Sequence, residues 1–187
     1  MAATGFAVLQ IADSPTNRFR RINTHYVEWA PSSADRINLA TRWLGKEKLD
    51  VSAGICIYGI GHGGYSALMA TLEARDVYAC VAATNAPVDL NALDEHELHY
   101  RLRRNPDPSL SPVNHAAAFD RPLMLVHGEK NLRVPVIQAR QFRDDVQAAG
   151  GEISYREYKD ADHLIEDFDS GRELTEILLA FFNQYLR

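Results

Sequence analysis

Cysteine is scarce in this chain, two in 187 residues, and one pair is too few to staple a small secreted fold. Cys56 and Cys80 each lie inside an apolar run that reads as a buried strand. Both are therefore expected to be free, reduced, space-filling thiols in a cytoplasmic protein. Positive charge is not in excess either. The 20 Lys and Arg stand against 25 Asp and Glu, a net charge of -5, so electrostatics give no reason to expect a nucleic acid or an anionic membrane as partner. The short cluster Arg101, Arg103, Arg104 reads as a solvated helix end. No apolar run reaches the roughly 20 residues of a membrane span, and the N-terminus lacks the basic start and long apolar stretch of a secretion signal. Repeats, low-complexity tracts and linkers are missing too. What is there is ordinary, 46% hydrophobic and 24% charged residues, which suits a single domain over 1–187 with a sizeable core.

Apolar runs alternate with helical periodicity along this domain. Phe6 to Ile11 reads as a first strand, ending in the turn formers Asp13-Ser14-Pro15-Thr16-Asn17. Between Ser32 and Leu44, the residues Ile37, Ala40, Trp43 and Leu44 recur at helical spacing, and Ser32 with Asp35 suggests a capping arrangement. Ile55 to Tyr58 is a second strand, closed by the glycine-rich turn 59–64, with a helix from Tyr65 to Arg75. Strands are predicted again at Tyr78 to Ala83, Leu123 to Val126 and Ile153 to Tyr158. Helices are predicted at Asp94 to Arg104, Pro135 to about Ala149 (stopped by Gly150-Gly151) and Leu174 to Leu186. The alternation predicts an α/β fold with a mostly parallel, doubly wound sheet flanked by helices. Ligands of such sheets sit outside the C-terminal strand ends, here the turns after residues 58, 83, 126 and 158.

The turn Gly59-Ile60-Gly61-His62-Gly63-Gly64 has the pattern of a nucleophile elbow, small-x-nucleophile-x-small. Gly59 and Gly63 supply the small positions that let strand and helix approach, and the central side chain is thrust out above the sheet. The centre is Gly61, which has nothing to attack with. The same glycines match the dinucleotide fingerprint G-x-G-x-x-G. The acidic residue that should end the next strand is missing from Ala83 to Asn85, and Asp89 lies beyond it. A P-loop fails because no Lys-Ser/Thr pair closes the turn. No cofactor and no metal are expected.

The segment Ile57-Tyr58-Gly59-Ile60-Gly61-His62-Gly63-Gly64-Tyr65 resembles the nucleophile motif G-x-S-x-G-G-Y of the prolyl oligopeptidase family of serine peptidases. Ala86-Pro87-Val88-Asp89-Leu90, Ser111-Pro112-Val113-Asn114-His115-Ala116 and the run from Pro122 to Pro135 resemble family segments in the same order. Gly5 to Gln10 looks like the strand leading to the family's Asn-Tyr-Arg-Gly stretch, which is absent. The resemblance covers most of the chain and is closest to the acylaminoacyl- and dipeptidyl-peptidase branch. It implies an α/β-hydrolase fold lacking its first strands, with Gly61 at the nucleophile, Asn131 at the acid and His163 at the base. Only the histidine is retained. The amide of Asn131 could keep a hydrogen bond to His163 but could not stabilise an imidazolium. By the same resemblance, His62 would offer one backbone oxyanion donor and, with Tyr65, line the pocket. The family's second donor loop lies upstream of the part matched here. The elbow's positive φ suits glycine, so serine at this position is expected to cost roughly 1 kcal/mol.

Other candidates have plainer readings. His96-Glu97-Leu98-His99 spaces its histidines by three, where the zincin motif needs four to put both on one face. Ser66 is expected to point into packing, and His115 and His127 to be structural. Tyr58, Tyr65 and Phe6 read as core or pocket lining. No nucleophile–base pair is expected within hydrogen-bond reach. The expected protein is a catalytically degenerate, peptidase-like binding or regulatory module with a remnant pocket for a small peptide or ester. A serine-type hydrolase, or half of a split hydrolase completed by another chain, is the alternative. Because a strand of the full fold would separate Phe6–Ile11 from Ile55–Tyr58, a homodimer by N-terminal strand exchange is expected.

Overall fold

The computed structural model describes residues 5–11, 26–47, 50–93 and 107–186, the side chains of 26–32 excepted. Helix α1 (Tyr26–Lys46) leads to β1 (Cys56–Ile60), α2 (His62–Glu73) and β2 (Cys80–Thr84). Two short 3-10 segments, Pro108–Leu110 and Pro112–Ala118, precede β3 (Leu123–Gly128), α3 (Val136–Ala148), β4 (Ile153–Tyr158) and α4 (Phe168–Tyr185). The four strands form one sheet in the order β1-β2-β3-β4, and every neighbouring pair is parallel. The expected α/β architecture is the observed one.

Strand alternation sorts the side chains into two layers. Ile57, Val81, Ala83, Leu123, Leu125, Ile153 and Tyr155 face one side, packing on Ala67 and Leu68 of α2 and on Ala139, Phe142 and Val146 of α3. Cys56, Tyr58, Cys80, Ala82, Met124, Val126 and Tyr158 face the other, against Leu174, Leu178, Phe181 and Phe182 of α4. Leu68, Leu123, Leu125 and Phe142 are fully buried, each contributing about 1.5–3 kcal/mol. Helix α1 packs outside α2 through Ala34 and Ile37. The Gly150-Gly151 stop is a Schellman closure: Gly151 N–H donates to Val146 O and Gly150 N–H to Gln147 O, with Gly150 at φ 83°.

Several expectations are corrected. Cys56 and Cys80 are joined by a disulfide. They are register partners on β1 and β2 and share the α4 face, which sets their Cα atoms 4.6 Å apart. The thiol-based argument for a cytoplasmic setting falls with them. Among the described residues no helix is long and apolar enough to cross a membrane. Phe6–Ile11 belongs to no strand. Its Phe6 ring packs edge-on against Phe182, centroids 6.3 Å apart, while Val8, Leu9 and Ile11 are exposed. Ser32 lies inside α1, so it is no cap. The expected helix Asp94 to Arg104, with His96, Glu97, His99 and the arginine cluster, lies outside the described residues, as does the turn Asp13 to Asn17.

Candidate active site

The C-terminal strand ends converge on one place. Strand β1 runs into a sharp turn at Gly61, whose φ 55° and ψ -121° lie where residues with a Cβ are strained. The turn depends on glycine at specific points. A Cβ on Gly59 would stand 2.1 Å from the backbone of Gly63, and one on Gly64 would meet the Ala86 Cβ at 2.8 Å. A Cβ on Gly63 would meet nothing within 4 Å, so the second tight position is Gly64, not Gly63.

Above Gly61 lies the His163 imidazole. A Cβ placed on Gly61 would be 3.0 Å from His163 Nε2 and 3.3 Å from its Cε1, so the ring stands directly over the apex of the elbow. The loop carrying His163 is tied to its neighbours through backbone groups. Gly128 has no room for a Cβ, which would fall 2.4 Å from Asp162 O and 2.5 Å from Ala161 O. Lys130 N–H donates to Ala161 O and Glu129 N–H to Tyr158 O. The Asp162 carboxylate accepts from His163 N–H at 2.6 Å and from Leu132 N–H at 3.3 Å. The loops carrying His163 and Asn131 are thus one knitted unit.

Asn131 is buried in that unit and faces its own turn. Its Oδ1 accepts from the N–H groups of Arg133 and Val134, both at 3.0 Å, and its Nδ2 approaches His127 Nε2 at 3.4 Å. The fully buried His127 bonds the Val134 carbonyl at 2.8 Å through Nε2, which assigns the proton to that nitrogen. Burial, the larger effect, holds the His127 pKa below its usual value. His127 is therefore a structural post of the Asn131 loop.

Sequence reasoning missed Asn85. It follows β2, is fully buried and has φ 53°, a region that asparagine tolerates better than most residues. Its Nδ2 donates to the His163 carbonyl at 2.9 Å, and its Oδ1 accepts from Gly128 N–H at 2.8 Å. One side chain thus seats the His163 loop on the end of β3. The signal was a polar residue closing an apolar strand at the switch-point end of the sheet.

Of the two candidates read as lining a pocket, Tyr65 takes its alternative place in the core and His62 departs from the expectation. Tyr65 is fully buried, donates its hydroxyl to Leu110 O at 2.8 Å and belongs to the α1–α2 core, so it lines no open pocket. The His62 ring folds back along α2, where Nε2 lies 3.1 Å from Ser66 Oγ. A serine–histidine contact within reach therefore exists, contrary to expectation, but Ser66 is 2% exposed. Tyr58 contacts Thr84 Oγ1 at 3.3 Å through its hydroxyl. The described residues hold no cluster of three metal-ligating side chains.

A parallel sheet, a glycine-cleared elbow, and loops carrying Asn131 and His163 at the next strand ends define the α/β-hydrolase fold. The match to the prolyl oligopeptidase family extends over residues 17–187, and the chain belongs to that family. It is 23% identical to the dipeptidyl aminopeptidase BIII of Pseudoxanthomonas mexicana, over 100% of this chain and 30% of that protein. It is 26% identical to the acylamino-acid-releasing enzyme 2 of Oryza sativa subsp. japonica, over 62% of this chain and 18% of that one. Among solved structures, a puromycin-hydrolyzing peptidase of Mycobacterium tuberculosis superposes with a TM-score of 0.77 at 21% identity, over 86% of this chain and 26% of that chain. The chain thus spans under a third of the relatives it matches.

Proposed function

We propose that this chain is a catalytically degenerate member of its family whose remnant site binds a small peptide or ester-like ligand, as a binding or regulatory module. The observation that carries this is Gly61 at the elbow with His163 Nε2 only 3.0 Å from the place of its absent Cβ. Covalent catalysis needs a nucleophile between base and substrate, and at this apex there is no side chain. The acid position carries an amide in place of a carboxylate. In the well-studied serine proteases, changing the triad aspartate to asparagine lowers turnover by ~10⁴, and Asn131 is such an amide. A serine-directed fluorophosphonate should leave the protein unlabelled, aminoacyl esters should not turn over, and dipeptides should shift the His163 imidazole resonances. Ester hydrolysis abolished by His163→Ala would refute the proposal.

The names of the relatives favour a second reading, a serine-type hydrolase of peptides or esters. The Ser66–His62 contact at 3.1 Å is its one local support. Under that reading Ser66→Ala abolishes labelling and turnover, whereas under ours there is none to abolish. Completion of the hydrolase by a partner chain would appear as a second polypeptide co-purifying from the source, with activity in the complex only.

A further inference from the structure

The outer edge of β1 and the segment Phe6–Ile11 present complementary unmet needs. Strand β1 pairs on one side only, with β2. Ala79 N–H donates to Ile55 O and Gly61 N–H to Thr84 O, so odd-numbered residues turn their backbone groups toward β2. In a parallel strand a residue directs its N–H and C=O to the same side. Cys56, Tyr58 and Ile60 therefore turn theirs to the outer edge, where no described residue forms a strand. Strand β2 is buried throughout, but β1 is only half-buried and ends on Ile60, 48% exposed. Such an edge is a template for another strand.

Phe6–Ile11 has strand-forming composition and no strand to join. Val8, Leu9 and Ile11 are 56%, 45% and 41% exposed. Phe6 places the start of the segment on Phe182, whose ring also contacts Tyr58 of β1, so the segment starts beside the open edge. We propose that two copies of this chain exchange it, each laying residues Phe6–Ile11 along the outer edge of the other's β1. Six residues span about 20 Å of strand. Two reciprocal strands bury on the order of 1,500 Å² in total, the size of a specific protein interface. The exchange is isologous, so it closes at two copies. It makes no use of the elbow and stands whether that site binds or cleaves.

The test uses the full chain. Light scattering at micromolar concentration should give twice the 21.0 kDa chain mass. Hydrogen exchange should find the Tyr58 and Ile60 amides protected, and that protection should fall on dilution as the dimer dissociates. Val8→Pro removes a donor from a segment outside the subunit's own sheet; it should halve the mass and release both amides with an unchanged far-UV spectrum. A monomer at micromolar concentration overturns the proposal, as does a dimer whose Tyr58 and Ile60 amides exchange freely. Protection that does not change with concentration means that the chain closes its own edge, which overturns it too.

Discussion

Gly61→Ser places a side chain at the apex of the elbow, and the structure says what that costs. The residue sits at φ 55°, where a Cβ is strained, and the new Cβ would stand 3.0 Å from His163 Nε2, so the imidazole must move by a few tenths of an ångström. Strain and displaced ring together should destabilise by about 2 kcal/mol. For a domain of this size that is a fall in Tm of about 4–8 °C, measurable by circular dichroism. The two parts separate in a cycle with Gly61→Ala and His163→Ala. Without the imidazole the contact is gone, and roughly half the penalty, the backbone part, should persist. A Tm that rises with Gly61→Ser refutes the reasoning, and so does a penalty indifferent to His163.

Gly59→Ala and Gly63→Ala should diverge despite their proximity. The first drives a Cβ into the Gly63 backbone at 2.1 Å and should cost 3 kcal/mol or more, on the order of severe overpacking; the second meets nothing and should stabilise α2 by about 0.5–1 kcal/mol, both read by denaturant titration. Cys56→Ser should lower stability by about 3 kcal/mol through the lost closure between residues 24 apart, and dithiothreitol should lower the wild-type Tm while leaving that of the variant unchanged. Glu157 is held at about 2, chiefly by its hydrogen bonds to Arg140. Its folded pKa is depressed, so the stability it contributes is complete above about pH 4.5 and lost as pH falls toward 2. After solvent screening that contribution is about 1 kcal/mol, and Glu157→Gln should flatten the acid limb of the stability–pH curve by that amount.

The layer order was legible because period-2 and period-3.6 patterns survive in the sequence: Leu123–Gly128 and Ile153–Tyr158 fall where their apolar runs place them. The elbow was legible because a tight turn demands glycines at fixed spacing, and the glycine at its centre is read directly from the sequence. Boundaries and partners were not. The sequence places Cys56 and Cys80 in separate buried strands, but only the parallel register of β1 on β2 makes them neighbours and a disulfide. Phe6–Ile11 has the composition of a strand, yet strand formation needs an edge to pair with, and pairing is a tertiary event that its own residues do not dictate. The roles of Asn85 and Gly128 arise where loops distant in sequence meet, so no local pattern announces them. The position of His163 over Gly61 is likewise set by how those loops are knitted, because the space left by a missing side chain has meaning only once something else stands beside it.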